Sequence, residues 1–268
     1  MLWNARNHRV PMDGTEMEAV SFGYGKRHLV LLPGLSDGLA TVGGKALLLA
    51  PPYRMFFEKY TVWMFSRKNR LPEGISICEM ARDQARAMDL LGIGAAAVMG
   101  VSEGGMIAQM LAVLYPERTE KLILAVTAPA ANGISRACVR RWIGLAEGGR
   151  HRELMIDTAE NSYSPAYLKT YRRLYPFLGR IGRPRDYRRF LANAEAILAF
   201  DAREEIGKIA CPTLILGGEE DRIVGAEASR ELHERIPGST LHLYPDLGHA
   251  AYEEAGDFNA RVFAFLES

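Results

Sequence analysis

Short apolar runs alternate with amphipathic stretches along most of this chain. The runs have lengths that suit buried strands, and the stretches repeat apolar residues at spacings of three and four, which is typical of helices. The predicted strands are residues 7–12, 16–22, 29–32, 61–65, 95–101, 121–126, 212–217 and 240–244. The predicted helices are residues 45–60, 75–91, 106–114, 226–236 and 250–266. Asp13-Gly14 predicts a hairpin between the first two strands, and the later alternation predicts an α/β fold with a mostly parallel central sheet and flanking helices.

Residues 131–200 break this alternation. They contain no clear strand and predict several helices, which are separated at residues 148–149, 164–165 and 179–184. We interpret the segment as an all-helical cap, or lid, that is inserted into a core formed by residues 1–130 and 201–268. A chain of 268 residues is long enough for one large α/β domain with such an insertion.

The charge of the chain is unevenly distributed. The whole chain has a formal net charge of +1, which gives no overall indication of nucleic-acid binding, and we predict none. Residues 131–200 nevertheless carry 13 lysines and arginines against 6 aspartates and glutamates, a net charge of +7. These cations either line solvated helix faces or steer an anionic substrate toward the site.

The remaining composition predicts a cytoplasmic protein. Cys78, Cys138 and Cys211 are far apart and show neither metal-ligand spacing nor a disulfide framework, which fits a reducing compartment. The first ten residues contain no apolar core of a signal peptide. No apolar run approaches the length of a membrane span, so we expect no membrane contact.

One stretch carries the candidate chemistry. Gly100-Val101-Ser102-Glu103-Gly104 joins a predicted strand to a predicted helix. A Gly-x-Ser-x-Gly sequence at such a join is typical of a nucleophile elbow, a strained turn that exposes a serine hydroxyl above the end of a sheet. The alternative is a glycine-rich turn in which the serine caps the helix. The strand before and the helix after favour the elbow, with Ser102 as the nucleophile.

A serine nucleophile needs a base, and the base needs an acid that orients it. Because Ser102 follows a strand, its partners are expected at the ends of other parallel strands. Among the six histidines, only His249 lies in a loop just after a late strand. Asp221 follows the strand at 212–217 and is our candidate acid, whereas the neighbouring Glu219 and Glu220 are expected to face solvent.

The developing oxyanion needs backbone N–H donors that are fixed in advance. Glu103, the residue after the nucleophile, offers one donor. Leu35, in the loop after the strand that ends at Leu32, offers the other. The side chain of Glu103 is unusual beside a developing negative charge. It either points away from the site or binds a cationic group of the substrate, and the sequence does not decide between these.

With these residues in place, the chain resembles the α/β-hydrolase superfamily over nearly its whole length. The family order of nucleophile, acid and histidine matches Ser102, Asp221 and His249, and a helical lid lies between the sixth and seventh strands. Pro33 stands where the family commonly has a histidine, which leaves a backbone donor unaffected. Residues 66–74 depart from the usual Asp-x-x-Gly-x-Gly loop, which limits substrate analogies. The resemblance implies hydrolysis of a carboxylic ester through an acyl-enzyme.

We therefore predict a serine hydrolase that acts on a small acyl substrate, with no cofactor and no metal. Alternatives on the same scaffold are a carbon–carbon bond hydrolase, a lactonase, an aminopeptidase, a cofactor-free peroxidase or a ligand sensor with little turnover; a non-catalytic interaction module would leave the three residues without a purpose. The oligomeric state stays open. Aromatic residues of the cap are candidates for lining the pocket, although most are expected to pack between helices: Trp142, Tyr163, Tyr167, Tyr171 and Phe177.

Overall fold

A central sheet of eight strands organises the computed structural model, which describes residues 2–179 and 182–268. The strands are β1 (Arg6–Met12), β2 (Thr15–Phe22), β3 (Arg27–Leu32), β4 (Tyr60–Lys68), β5 (Ala96–Val101), β6 (Thr119–Ala125), β7 (Thr213–Gly218) and β8 (Thr240–Tyr244). Their spatial order is β1-β2-β4-β3-β5-β6-β7-β8. The hairpin of β1 and β2 pairs antiparallel with β4, and all later pairs are parallel, so the predicted α/β architecture is confirmed.

Helices cover both faces of the sheet. The α-helices are α1 (Ala46–Leu49), α2 (Ile77–Leu90), α3 (Glu103–Leu114), α4 (Gly133–Glu147), α5 (His151–Ser162), α6 (Pro165–Tyr171), α7 (Arg188–Ala199), α8 (Ala226–Arg235), α9 (Ala251–Glu254) and α10 (Phe258–Glu267). Short 3₁₀ turns complete the list, including Leu35–Gly38 after β3. The central strands are buried on both faces, which explains why they read as continuous apolar runs rather than as alternating ones.

The register places the carboxyl ends of the central strands side by side. Leu32 at the end of β3 pairs with Gly100 in β5, and Val101 at the end of β5 pairs with Ala125 at the end of β6. Ligands of parallel sheets bind at this edge. The loops that follow β3, β5, β7 and β8 therefore share one end of the molecule.

Several predicted elements have different bounds in the structure. The helix predicted over residues 45–60 is reduced to the short α1 and the 3₁₀ turn Pro51–Phe56, because Pro51 and Pro52 interrupt it. The sequence predicts that the fourth strand ends at residue 65 with a polar loop after it, but β4 continues to Lys68, and Ser66 and Arg67 are almost fully buried. Ser66 Oγ donates to Asp37, and Arg67 Nη2 donates to Glu103, so these side chains are held inside the protein and the strand does not end where its sequence becomes polar. The last predicted helix, 250–266, is divided into α9 and α10 by a break at Gly256.

Helices α4 to α7 occupy the segment between β6 and β7. An isolated antiparallel bridge joins Ala130 to Asp201, and so brings the two ends of the segment together. Gly148 and Gly149 follow α4, and Ser164 caps α6 with its side chain, as expected from the predicted breaks. The third predicted break, at 179–184, includes residues 180 and 181, which lie outside the described residues.

Candidate active site

Ser102 occupies the sharp turn between β5 and α3. Its backbone has φ 53° and ψ −119°, a conformation that L-residues other than glycine rarely adopt. Two hydrogen bonds hold it there: its N–H donates to the Ala125 carbonyl at 2.9 Å, and its carbonyl accepts from Thr127 Oγ1 at 2.7 Å. The strained turn raises the Ser102 side chain above the carboxyl edge of the sheet.

Two glycines make this turn sterically feasible. A Cβ atom on Gly100 would lie 2.3 Å from the Gly104 carbonyl oxygen, which belongs to the first turn of α3. A Cβ atom on Gly104 would lie 2.0 Å from the Leu32 carbonyl oxygen, at the end of β3. Both separations are far below van der Waals contact, so the strand, the turn and the helix approach this closely only without side chains.

His249 and Asp221 come together with Ser102. The Oγ atom of Ser102 lies 2.9 Å from Nε2 of His249, and Nδ1 of His249 lies 2.8 Å from Oδ2 of Asp221. His249 follows β8 and Asp221 follows β7, so the three side chains converge from the ends of three strands. His249 and Asp221 are both largely buried, with 8% and 7% of their surface exposed.

The loop after β7 prepares Asp221 as an anion. Its second oxygen, Oδ1, accepts hydrogen bonds from the backbone N–H groups of Ile223 and Val224, at 2.8 and 2.9 Å. Burial opposes ionisation, but His249 and these two N–H groups outweigh it and lower the pKa of the Asp221 carboxyl below its usual value. The adjacent Glu219 and Glu220 are exposed.

The expected oxyanion donors flank Ser102. Glu103 is the first residue of α3, where a helix leaves its N–H without an intrahelical acceptor. Leu35 is the first residue of the 3₁₀ turn Leu35–Gly38, and the preceding Gly34 lies against the serine, since a Cβ atom there would be 3.3 Å from Ser102 Cβ. The two N–H groups thus belong to two segments that lie next to Ser102.

The side chain of Glu103 turns away from the site into the protein interior. It is fully buried, and its Oε2 accepts from Nη2 of Arg67 at 2.7 Å. Burial raises the pKa of Glu103 to about 7, helped by the charge of Asp37 and opposed by that of Arg67. Of the two orientations left open by the sequence, the structure has the one in which the side chain points away from the site. Sequence reasoning missed Arg67, because it lies within the stretch that reads as a polar loop.

Three of the other histidines have partners away from the site. His28, near the start of β3, accepts a hydrogen bond from Trp63 Nε1 at 3.1 Å. His8 contacts Ser21, and His233 contacts Ser239. None of these positions is at the carboxyl ends of the parallel strands.

Most of the aromatic candidates in residues 131–200 contact one another or neighbouring groups of that segment. Trp142 is buried and donates to Asp157 at 2.7 Å. The rings of Tyr163 and Tyr167 stack with centroids 4.4 Å apart, and Tyr171 adjoins both. Phe177 is 60% exposed. Of these five residues only Trp142 is buried, whereas Tyr167 and Phe177 are exposed.

Several arginines of residues 131–200 have acidic partners. Ion pairs join Arg141 to Asp157 and Arg172 to Glu160, both on the protein surface. Arg189, in the first turn of α7, instead reaches out of the cap segment to Asp37. Part of the positive charge of this segment is therefore neutralised locally.

Metal-binding clusters and membrane-spanning helices are both absent from the residues that the structure describes. Among residues 2–179 and 182–268, no group of three or more histidine, cysteine, aspartate or glutamate side chains is arranged to hold a metal ion. No helix in these same ranges is both long enough and apolar enough to cross a membrane.

Known proteins with similar sequences are hydrolases. The model of the family described as "alpha/beta hydrolase fold" matches residues 28–256. RutD of Azorhizobium caulinodans, provisionally named a carbamate hydrolase, is 32% identical over 222 residues, which are 75% of this chain and 79% of that protein. The 2-hydroxy-6-oxononadienedioate/2-hydroxy-6-oxononatrienedioate hydrolase of Comamonas testosteroni is 30% identical over 194 residues, 69% of this chain and 68% of that protein.

A similar solved structure spans nearly the whole chain. The enol-lactonase from Burkholderia xenovorans LB400 superimposes with a TM-score of 0.85 over 97% of this chain and 100% of that one. The two sequences are 21% identical, so this likeness shows a shared fold. The sheet, its flanking helices and the inserted helices are thus compatible with an established hydrolase architecture.

Proposed function

The chain belongs to the α/β-hydrolase family, and on that basis we propose that it is a serine hydrolase that cleaves a small carboxylic ester or related acyl substrate. The observation that carries this proposal is the unbroken set of contacts from Ser102 through His249 to Asp221, at 2.9 and 2.8 Å. A hydroxyl, an imidazole and a buried carboxylate in this order are what nucleophilic catalysis by serine requires.

In the proposed first step, His249 acts as the general base. With Nδ1–H donated to Asp221, the lone pair of Nε2 faces Ser102 and accepts the proton of its hydroxyl. The Ser102 oxygen attacks the acyl carbonyl carbon and forms a tetrahedral intermediate. Asp221 stabilises the imidazolium that results, and its lowered pKa keeps it ionised for that role. His249 then protonates the leaving alcohol.

The backbone N–H groups of Leu35 and Glu103 are the proposed donors to the oxyanion. The donor of Glu103 also lies at the N-terminus of α3, where the helix dipole favours negative charge. In the second step, His249 removes a proton from water, and the water oxygen attacks the acyl carbon to form a second tetrahedral intermediate. Its collapse breaks the bond to Ser102 Oγ, which takes the proton back from His249 as the acid is released. Each step uses the same two donors and the same base.

We further propose that helices α4 to α7 form a cap that limits the size of the substrate. They lie between β6 and β7 in sequence, and Arg189 connects them to the loop that follows β3. The exposed arginines of this cap would steer an anionic acyl substrate. Turnover of an anionic ester that does not change with salt concentration would contradict this steering.

The similar sequences favour two other types of cleaved bond as second candidates for the reaction. One relative is named as a carbamate hydrolase, and another as a 2-hydroxy-6-oxononadienedioate/2-hydroxy-6-oxononatrienedioate hydrolase. The first name favours a carbamate bond as the one cleaved here, and we take the second to favour a carbon–carbon bond. The same hydroxyl, base and oxyanion donors serve either reaction, because each passes through attack on a carbonyl carbon. Because an enol-lactonase has the same fold, we include cyclic esters among the candidate substrates.

The first test is covalent labelling by a fluorophosphonate probe. We expect the wild type to be labelled, and Ser102→Ala to be folded but unlabelled, because only an activated serine reacts. Ser239→Ala is the matched control: Ser239 Oγ also lies 2.9 Å from a histidine, His233, but it precedes β8 at the opposite edge of the sheet. We expect that variant to be labelled like the wild type.

A substrate panel follows the labelling. It compares p-nitrophenyl esters, lactones, carbamates and vinylogous 1,5-diketones, and the acyl-enzyme is sought as a burst of the first product. The proposal is supported if an ester or a lactone is turned over fastest. If a carbamate or a diketone is preferred, the corresponding second candidate replaces ester hydrolysis as the proposed function. A folded wild type that takes no label contradicts the serine mechanism and favours a ligand sensor.

A further inference from the structure

Four charged side chains form a buried network below the candidate site. Glu103 Oε2 lies 2.7 Å from Nη2 of Arg67, and Nη1 of Arg67 lies 3.8 Å from Oδ2 of Asp37. The same oxygen of Asp37 pairs with Arg189. The side chains of the first three residues are at most 1% exposed, and that of Arg189 is 13% exposed. Removing a charge from water to this depth costs free energy that only pairing offsets, so breaking one of these contacts should destabilise the network.

Arg189 is the member of this network that comes from the cap segment. Its guanidinium donates Nε–H to the Lys68 carbonyl and Nη2–H to the Arg67 carbonyl, both at 3.0 Å. It also donates to the backbone carbonyl and to the carboxylate of Asp37. One side chain thus joins α7 to the end of β4 and to the turn after β3. Its hydrogen-bonding groups are directed at the protein, in contrast to the exposed arginines of the cap.

Asp37 also connects the turn after β3 to the end of β4. Its Oδ1 accepts from Ser66 Oγ at 2.6 Å, and its Oδ2 accepts from the Arg67 N–H at 3.0 Å. The turn also contacts the backbone of α7 directly, because a Cβ atom on Gly38 would lie 2.8 Å from Phe190 Cα. The turn therefore lies between β4 and α7, and the carboxylate of Asp37 connects it to both.

We propose that Arg189 is a positioning residue that holds the Leu35 N–H in place for the oxyanion. Leu35 and Asp37 belong to one 3₁₀ turn, Leu35–Gly38, so a shift of Asp37 moves the Leu35 N–H relative to Ser102. Oxyanion donors are effective only when they are fixed before the reaction. This inference rests on the proposed function, because it assigns a role within the same site.

The test measures inactivation by a fluorophosphonate at several concentrations. It gives the limiting rate constant, kinact, which depends on the oxyanion donors, and the half-saturating concentration, KI, which depends on reversible binding. We expect Arg189→Gln to lower kinact by about 10- to 100-fold with KI within about twofold, which is less than the loss of a whole donor costs. Arg188→Gln is the control: this neighbour on α7 has a side chain 89% exposed and pairs with Asp186 on the surface. We expect it to match the wild type.

Arg189→Lys provides a second readout. A lysine keeps the charge opposite Asp37 but presents a single ammonium in place of the fork that reaches four acceptors, so we expect an intermediate kinact. The proposal is overturned if folded Arg189→Gln keeps the kinact of the wild type, or if its KI rises while kinact is unchanged. If Arg189→Gln does not fold, a wild-type kinact in Arg189→Lys overturns it instead. A wild type that takes no label contradicts the proposed function itself, which is a distinguishable failure.

Discussion

At the scale of single residues, Glu103 shows how a position can serve the site through its backbone alone. Its N–H begins α3 beside Ser102, whereas its carboxyl group is buried against Arg67. A charged residue next to a developing oxyanion would be unfavourable if its side chain faced the substrate. Here the side chain points into the interior, and Arg67 offsets its charge. The cost of burying it is visible in the pKa of Glu103, which burial raises to about 7.

This raised pKa predicts a stability that depends on pH. In the unfolded chain Glu103 is expected to lose its proton near the usual value of 4.5, and in the folded protein near 7. Between these values the folded state holds one more proton than the unfolded state, so the free energy of unfolding falls as the pH rises. The slope due to this group approaches about 1.4 kcal/mol per pH unit. Above about pH 7 its contribution is constant.

Denaturant unfolding of the wild type and of Glu103→Gln between pH 4 and 8 tests this prediction. The glutamine cannot ionise, so the wild type should lose stability relative to the variant as the pH rises toward 7 and should run parallel to it above that value. Glu58→Gln, at an exposed glutamate, is the control and should stay parallel to the wild type throughout. A constant difference between the wild type and Glu103→Gln would contradict the raised pKa.

At the scale of elements, the turn between β5 and α3 depends on close contact with β3. We predict that Gly104→Ala destabilises the protein by about 1 to 3 kcal/mol or more, because its Cβ would meet the Leu32 carbonyl oxygen and push α3 away from the strand. The labelling of Ser102 should slow as well. The free energy of unfolding and the labelling rate are measured together.

Gly144→Ala is the matched control for that substitution. Gly144 is also a helical glycine, in α4, but a Cβ atom there would have no neighbour within 4 Å. Alanine in a helix is favoured over glycine by about 0.5 to 1 kcal/mol, so we expect this variant to be slightly more stable than the wild type. Equal stability of Gly104→Ala and the wild type would show that the elbow does not need the close approach.

The elements that position the site could largely be predicted from the sequence, whereas the network beneath it could not. Ser102, His249 and Asp221 each follow a predicted strand, and parallel topology brings such positions to one edge. Arg67 and Arg189 carry no comparable signal. Arg67 lies in a polar stretch, and its contacts with Asp37 and Glu103 at the end of β4 are tertiary contacts that the sequence does not show. Arg189 is one of many arginines in its segment, and only the tertiary structure distinguishes it from the exposed ones.

At the scale of the whole molecule, the carboxyl and amino ends of the parallel strands form two edges of the sheet that have different roles. The carboxyl edge holds the candidate site, whereas the amino edge binds the end of the chain. Glu267 at the end of α10 pairs with Arg27 and Lys59 and accepts from the Tyr60 hydroxyl at 3.0 Å. These partners lie at the starts of β3 and β4 or just before them. Substitutions at the amino edge should therefore alter stability and leave the chemistry unchanged.

Lys121 offers the clearest case. Its ammonium, near the start of β6, donates to the carbonyls of Phe265 and Ser268 at 2.8 Å and of Leu266 at 3.2 Å, and so caps the C-terminus of α10. We predict that Lys121→Met lowers the free energy of unfolding by about 1 to 2 kcal/mol, because these charge-assisted bonds are lost. In a chain of this size each kcal/mol corresponds to a Tm shift of about 2 to 4 °C.

The same variant should retain the labelling rate of Ser102, since Lys121 lies roughly 13 Å along its strand from the carboxyl edge. Thermal unfolding and fluorophosphonate kinetics on Lys121→Met, with the exposed Lys26→Met as the control, separate the two edges. A slowed reaction at unchanged Tm would mean that the amino edge influences the site. A lowered Tm with an unchanged rate would mean that the end of α10 stabilises the sheet while the geometry of the site is set by the turns at the opposite edge.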